Sequence, residues 1–480
     1  MTGRGRPRSK NSQDTKCTTS TTRAAETPKD NLKAKNAKRC GGKAKSPETT
    51  EKQPAVKVKS PQKFVEETKK TQLEMPKSTM EAEATKATKC TDKTKSVEEF
   101  TDKTKMAQPQ KCEDNAALNT LLRKTLEELK IKRNDRADAA KVVNELVKNI
   151  TMHLKKNSEC FKEVEEPLPT GSYYENLKIS SPDEFDFMLP MPVNRVTIEP
   201  FGDDGAFYSV ALKRGGSPLK KFEENNVLSA SKMLTEFREE VVKCVKGFKG
   251  TEWKVTRKKK GCPAVTLNTE LQSITISVDV VLCLVVKSSW PVFTKEGLKI
   301  ESWLGTKVKQ EYKRKPYYLI PKYEGRGTVE VDGVLAKDNW RISFSHVEKA
   351  ILKNHGSEKT CCEKHGASCC RKDCLKLLKH LLHLLKERDS SFDKFCSYHA
   401  KTTVLHACAS RTKDSDWSAS TLSHCFQLLL KDFIDHLENG RLNNFFVPNQ
   451  NLLSSPGQTQ CKKLARCIRE ESDRGFPIFK

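Results

Sequence analysis

Between residues 184 and 187 the chain reads Glu184-Phe185-Asp186-Phe187, acid and aromatic in alternation. In a β-strand, side chains two apart share a face. Glu184 and Asp186 therefore project together, while Phe185 and Phe187 enter a core on the other side. Two carboxylates held side by side are costly unless a cation lies between them. An oxygen-preferring divalent ion such as Mg²⁺, carrying a nucleoside triphosphate, meets that need. By itself an acid-x-acid pair more often marks a solvated strand face. Here Gly171-Ser172 precedes it by a dozen residues, and such a turn offers backbone N–H groups and a hydroxyl to phosphates.

A third acid follows. Residues 274–286 are an apolar β run interrupted by Asp279. An unpartnered polar group buried there would cost roughly 2–7 kcal/mol, and a charge more, so Asp279 is expected at the border of a cleft. Glu184, Asp186 and Asp279 are the candidate catalytic residues and the candidate ligands of two Mg²⁺ (or Mn²⁺) ions.

Residues 355–374 hold a second constellation, five cysteines and two histidines in twenty positions. Zinc takes four N or S ligands in a tetrahedron, and a thiolate-rich loop can supply all four. Such an ion folds the loop instead of performing catalysis. His355, Cys361, Cys362 and Cys369 are candidates, and spacing alone keeps His365, Cys370 and Cys374 in competition. Reduced cysteines without metal are the bland alternative.

The net charge of +26 points to polyanionic partners (nucleic acid, chromatin or an anionic membrane surface) ahead of a merely solubilising surface. Eighteen cysteines would suit a disulfide framework, but no apolar signal-peptide core follows the basic start. The longest apolar run is short and contains Asp279, so no membrane span is expected. Reduced thiols or metal ligands, in the cytosol and nucleus, are expected instead. Residues 1–114 are rich in Lys, Thr, Ser, Pro and Glu. Up to Gln110 they carry 26 Lys+Arg against 14 Asp+Glu, a net +12, with Phe64 and Phe100 the only aromatics. Such a segment cannot offset its ordering entropy by burial. It is expected to be disordered and to bind DNA without sequence preference through phosphate neutralisation.

From residue 115 leucines recur at helical spacing, predicting one long helix or two broken near Asn134. Basic clusters sit at Lys130, Lys132 and Arg133, and at Lys155 and Lys156. Strands are expected over 195–198, 206–212, 253–255, 264–267 and 274–286, and an amphipathic helix over 227–245. Leucine-rich helices are expected over 375–385, 404–409, 422–436 and 441–446. Residues 322–340 give no clear element. The fold class is α/β (α+β): a catalytic lobe over 115–345 with a twisted mixed sheet, then a zinc loop and helical lobe over 346–480. The active site should lie between them.

The order of Gly-Ser, acid-apolar-acid-apolar and a later-strand acid resembles the nucleotidyltransferase superfamily related to polymerase beta. Within it, Gly171-Ser172-Tyr173-Tyr174-Glu175 with Lys178-Ile179-Ser180, Lys287-Ser288-Ser289-Trp290-Pro291 and the spacing His-x5-Cys-Cys-x6-Cys are similar to the cyclic GMP-AMP synthase (Mab-21-like) family over roughly residues 115–480. The resemblance implies a double-stranded-DNA sensor of innate immunity, a synthase making cyclic GMP-AMP with one 2′–5′ and one 3′–5′ linkage from ATP and GTP. It selects His355, Cys361, Cys362 and Cys369 as the ligands of one structural Zn²⁺. Nucleotide contacts are implied from Thr170, Gly171, Ser172, Lys322, Arg341, Ser343, Ser345, Lys379, Ser397 and Tyr398, with Tyr398 stacking on a base. Lys130, Arg133, Lys349, Lys372 and Lys376 are the implied duplex contacts, DNA ordering residues 171–180. The resemblance further implies a homodimer on DNA, and an inhibited state in which Arg195 and Arg214 grip the nucleosome acidic patch. Asp183 departs from the pattern by adding a negative charge beside the pair. A double-stranded-RNA-activated oligoadenylate synthetase-like enzyme would share the triad but lack the zinc loop. A non-catalytic nucleic-acid-binding relative would have lost an acid, and all three are present.

Overall fold

The computed structural model of the protein describes residues 109–480 apart from Arg214 and Lys364, so the basic tail lies almost wholly outside the described residues. Helices α1 (Pro109–Glu128) and α2 (Arg133–Asn157) form a spine. The leucine period carries α1, which starts ahead of residue 115. The spine breaks at residues 129–132, just before Asn134. Leu129 N–H and Lys130 N–H close α1 on Thr125 and Glu127 carbonyls, and Lys132 is extended, with φ −61° and ψ 142°.

The α/β lobe begins with β1 (Leu168–Thr170), the single turn α3 (Gly171–Tyr174), β2 (Glu184–Pro192), β3 (Val196–Pro200) and β4 (Phe207–Leu212). A small ribbon, β5 (Glu223–Glu224) and β6 (Val227–Leu228), leads into α4 (Ala230–Lys246). The helix expected over 227–245 thus loses its first residues to a strand, because the Ser229 hydroxyl accepts from Lys232 N–H and caps α4 there. Next come β7 (Lys254–Val255), β8 (Ala264–Leu271), β9 (Ile274–Val286), α5 (Thr306–Lys313) and β10 (Tyr317–Ile320). The stretch after Lys322, where the sequence shows no clear element, holds a hairpin of β11 (Glu330–Val331) and β12 (Val334–Leu335), followed by β13 (Trp340–Ser343). Asp338 pins it to the start of α4, accepting the Ser229 and Ser231 hydroxyls at 2.5 Å each.

The main sheet runs β1-β2-β9-β10-β13-β4-β3, with β8 sharing the β9 edge and β7 beyond it. Among the described strands of this sheet only β2 and β9 pair in parallel. Phe185, Phe187, Val278 and Val280 join the main core with residues of α2 and α4, while Met188, Cys283, Val285 and Tyr318 form a small apolar cluster on the opposite face. Asp186 and Asp279 share that second face by strand alternation.

The helical lobe contains α6 (Ser345–Lys353), α7 (Arg371–Arg388), α8 (Ser397–Ser410), α9 (Leu422–Glu438) and α10 (Gln458–Asp473). The helix expected over 441–446 is absent. Asn444 instead accepts from Phe446 and Val447 N–H and donates to Gln450, which fixes a turn. The cysteines from Cys160 to Cys467 are all free thiols. Among the described residues no helix is long and apolar enough to cross a membrane.

The lobes meet backbone to backbone, with Leu298 N–H donating to Phe445 O at 2.8 Å. Gly297 lies so close to the Phe446 carbonyl that a Cβ would overlap it. Gly297→Ala is expected to lose about 1–3 kcal/mol of stability by overpacking, read as a lowered denaturant midpoint with unchanged slope.

Candidate active site

The parallel register sets Asp186 opposite Asp279 and Glu184 opposite Ser277. Thr170 lies opposite Asp186 on β1, and Thr266 opposite Asp279 on β8. Four strands therefore carry one row across the sheet, Thr170, Asp186, Asp279 and Thr266, with Glu184 two residues along. The Thr266 hydroxyl donates to Asp279 Oδ1 at 2.6 Å. Burial, reinforced by the charges of Glu184 and Asp279, pushes Asp186 up to about 7. Burial likewise raises Asp279, with Glu184 adding to it and Thr266 opposing. Carboxylates destabilised by one another are what a divalent ion relieves, and an all-oxygen donor set suits Mg²⁺.

Gly171 packs on this row. Its φ is +73°, and a Cβ there would overlap Asp186 Oδ2, so only glycine brings the turn's backbone this close. A cleft of about 820 Å³ opens beside it, lined among others by Thr170, Gly171, Asp186, Lys322, Arg341, Ser343, Ser345 and Tyr398. Ser172, Lys379 and Ser397 stand outside that lining, and Lys379 Nζ instead donates to Leu177 O at 2.7 Å. Burial, then the charges of Lys178 and Lys401, bring Lys379 down to about 8.

Residues 171–180 are clamped from two sides. Tyr173 donates its hydroxyl to Arg136 O at 2.9 Å, Arg136 donates to Asn176 Oδ1 at 2.6 Å, and Ser180 N–H reaches Leu129 O at 2.9 Å. These partners lie at the spine break, which carries Lys130, and in the first turn of α2, which carries Arg133. On the other side Lys349 lies 5.5 Å over the Tyr174 ring, while Arg136 lies 5.0 Å over Tyr173. Lys372 and Lys376 stand in the first turns of α7. Asp183 is bound by Lys178 at 2.7 Å, and the same ammonium reaches Glu184 at 3.0 Å. Arg195 is exposed ahead of β3, and Arg214 falls outside the described residues.

The ligand atoms of His355, Cys361, Cys362 and Cys369 all lie within 4.8 Å of one another. His355 Nδ1 faces the Leu352 carbonyl at 3.0 Å, so it carries the proton, and Nε2 is left buried without a partner. An orphaned imidazole nitrogen beside three sulfurs is a Zn²⁺ donor set. Burial, and then Cys369 and Cys362, push the Cys361 thiol well up, a repulsion that a bound cation reverses. Of the competitors, Cys370 and Cys374 are buried in the core and His365 is exposed outside the cluster.

Residues 173–354 match the Mab-21 protein nucleotidyltransferase domain, and residues 370–470 match the Mab-21 protein HhH/H2TH-like domain. A cyclic GMP-AMP synthase of Mus musculus is 46% identical over 365 residues, covering 75% of this chain and 70% of the relative. One from Sus scrofa is 44% identical over 367 residues, covering 75% and 72%. A cyclic GMP-AMP synthase-like receptor of Magallana gigas is 25% identical over 342 residues, covering 68% and 52%. The chain belongs to the Mab-21 nucleotidyltransferase family. Like that family it is an enzyme acting on nucleotides with the help of divalent metal.

This Mab-21 enzyme carries three cleft residues that sequence reasoning missed. Lys401 Nζ lies 2.8 Å from Glu175 Oε1 and 3.1 Å from Glu348 Oε2, and Tyr398 donates to Glu348 Oε1 at 2.9 Å. One signal was present, since Lys401 sits three residues after Tyr398 and shares its helix face. Its acidic partners come from distant segments that only the fold brings together.

Gly171→Ala is expected to push the turn off Asp186 and cut nucleotidyl transfer by about 100-fold, the scale of a 1 Å misplacement at a reacting centre. Initial rates at saturating nucleotide would measure it, with the melting temperature reporting that the fold survives.

Proposed function

We propose that the protein is a DNA-activated cyclic GMP-AMP synthase of innate immunity, joining ATP and GTP through one 2′–5′ and one 3′–5′ linkage. The observation that carries this is the register-paired Asp186 and Asp279, with Glu184, beside a cleft walled by the Gly171 turn. Identity of 44–46% to cyclic GMP-AMP synthases supports the substrate choice.

Two bound Mg²⁺ ions would supply acidity to the attacking ribose hydroxyl and neutralise the triphosphate and the leaving pyrophosphate. Glu184, Asp186 and Asp279 hold them, and Thr266 fixes the Asp279 rotamer. Gly171 and Ser172 bind the triphosphate through backbone N–H and hydroxyl. Lys322 and Arg341 bring positive charge to the phosphates, and Tyr398 offers its ring to a base. Thr170, Ser343 and Ser345 add polar contacts from the cleft wall.

Lys130, Arg133, Lys349, Lys372 and Lys376 read duplex phosphates by charge and shape. DNA favours the ordered loop to the extent that it binds that state more tightly. A duplex touching both basic groups tightens the clamp on residues 171–180. The enzyme pairs as a homodimer on DNA, works in the cytosol and nucleus, and is held inactive when Arg195 and Arg214 meet a nucleosome. One Zn²⁺ on His355, Cys361, Cys362 and Cys369 rigidifies the loop ahead of α7.

Incubation with ATP, GTP and Mg²⁺, with and without long duplex DNA, is expected to yield cyclic GMP-AMP by mass spectrometry only with DNA. The product should vanish in Glu184→Gln/Asp186→Asn. Linear oligoadenylates or dependence on duplex RNA would move the protein to the synthetase class, and DNA binding without product would make it a binding module. Elemental analysis should find about one zinc per chain, with Cys362→Ser losing it and lowering the melting temperature.

A further inference from the structure

Far from the nucleotide cleft, residues 413–419 between α8 and α9 grip both halves of the loop that carries the zinc ligands. Backbone pairing takes the second half. Cys370 N–H donates to Trp417 O at 2.8 Å, Ala419 N–H donates to Ser368 O at 3.2 Å, and Cys369 forms a β-bridge with Ser418. One carboxylate takes the first half. Asp414 Oδ1 accepts from Ser357 N–H at 2.9 Å and Oδ2 from Glu358 N–H at 3.0 Å, while Asp414 N–H donates to the Ser357 hydroxyl at 3.1 Å. Cys361 N–H then closes on Glu358 O at 3.3 Å, so Asp414 reaches that ligand through Glu358. Arg371 completes the grip. Its side chain is 2% exposed and that of Asp414 9%. Arg371 Nη1 donates to Asp414 Oδ1 at 2.7 Å and lies 4.0 Å from Cys361 Sγ, and Nη2 donates to Lys413 O at 3.2 Å. The guanidinium carbon sits 5.6 Å over the Trp417 ring. Burial disfavours the Asp414 charge, but the Glu358 and Ser357 N–H groups and then Arg371 outweigh it and hold the carboxyl below its usual range. His355 is fixed separately, by the Leu352 carbonyl and by Trp303 Nε1, which donates to His355 O at 2.8 Å.

We propose that Asp414 and Arg371 are positioning residues for the metal: Asp414 holds the segment that aims Cys361 at His355, and Arg371 locks Asp414 while offering its charge to the thiolates. The proposal rests on the zinc reading for what the clamp serves, but not for the clamp itself. Three thiolates around one divalent ion leave a net negative charge, and a guanidinium beside one sulfur relieves it. Without Asp414 the amides of Ser357 and Glu358 turn to water, and ordering Cys361 then subtracts from the free energy of metal binding. Without Arg371 the Asp414 carboxylate is left as an unpaired, largely buried charge, which is the costlier loss.

The test uses the full chain and follows metal and backbone separately. Asp414→Ala removes the clamp, Asp414→Asn is the milder variant that keeps its shape, and Arg371→Met removes the guanidinium. Zinc affinity, read by competition with a chromogenic chelator, should fall about tenfold in Asp414→Asn and up to about 100-fold in Asp414→Ala and Arg371→Met. Co²⁺ loaded in place of zinc should show weakened thiolate-to-metal absorption in the last two. Leu464→Ala, which opens a cavity under α10, should lower the melting temperature and leave the affinity and the cobalt spectrum unchanged. In metal-free protein the amides of Ser357 and Glu358 should exchange about tenfold faster in Asp414→Ala, with α10 unchanged. Full zinc affinity in a folded Asp414 variant, an equal loss in Leu464→Ala, or unaltered exchange at Ser357 and Glu358 would overturn the proposal. If the unsubstituted protein holds no zinc, the zinc reading fails, while the exchange result still decides the clamp.

Discussion

Parallel pairing of β2 with β9 is the constraint from which the site follows. Nine consecutive residue pairs lock the two strands, and a slip of one position would send every side chain to the opposite face. What holds the register is apolar: Phe185, Phe187, Leu189, Val278, Val280 and Leu282 are all essentially buried. Each such side chain contributes about 1.5–3 kcal/mol. The sum exceeds what repulsion among partly solvated carboxylates can oppose, so the core forces Asp186 and Asp279 together. Asp186 is raised by burial first and then by the charges of Glu184 and Asp279.

The loop between α3 and β2 is built differently. Tyr173 and Leu177 anchor it in the core, yet Gly171, Asn176 and Ser180 all take positive φ. For Asn and Ser such backbone is uncommon and needs support from outside. That support comes from Arg136, Leu129 and Lys379, two of them on the spine and one on α7. A segment with little core of its own, held by ties to two basic surfaces, belongs to the low-stability end of a fold. Its order is therefore open to a ligand that strengthens the ties.

That the three acids come together, and likewise the His/Cys cluster, was legible because each group is encoded locally. Alternation fixes the face of Glu184 and Asp186, one acid in an apolar run fixes Asp279, and close spacing gathers three cysteines and a histidine. The buried bridge was not legible, since Glu175 and Lys401 are separated by 226 positions and neither sits in an unusual local pattern. The helix expected over 441–446 failed for a related reason. Its apolar residues are buried, but Asn444 offers the backbone a turn instead of a helix. Helix α10 escaped notice because most of its surface is polar, with Cys461, Leu464, Ala465 and Ile468 as its buried apolar stripe.

Charge in the cleft is poised between two incomplete states. Glu184, Asp186 and Asp279 repel any triphosphate that arrives without cations, while burial and then the Arg341 charge hold Lys322 down against the pull of Glu324, so these cations gain from an arriving anion. A divalent ion alone relieves the acids and leaves the cations unsatisfied; a nucleotide alone does the reverse. Metal and nucleotide bound together satisfy both groups, so each ligand raises the affinity for the other by the same factor. Lys401, Glu175 and Glu348 line the same cleft, and there the lysine already has its own counter-charges.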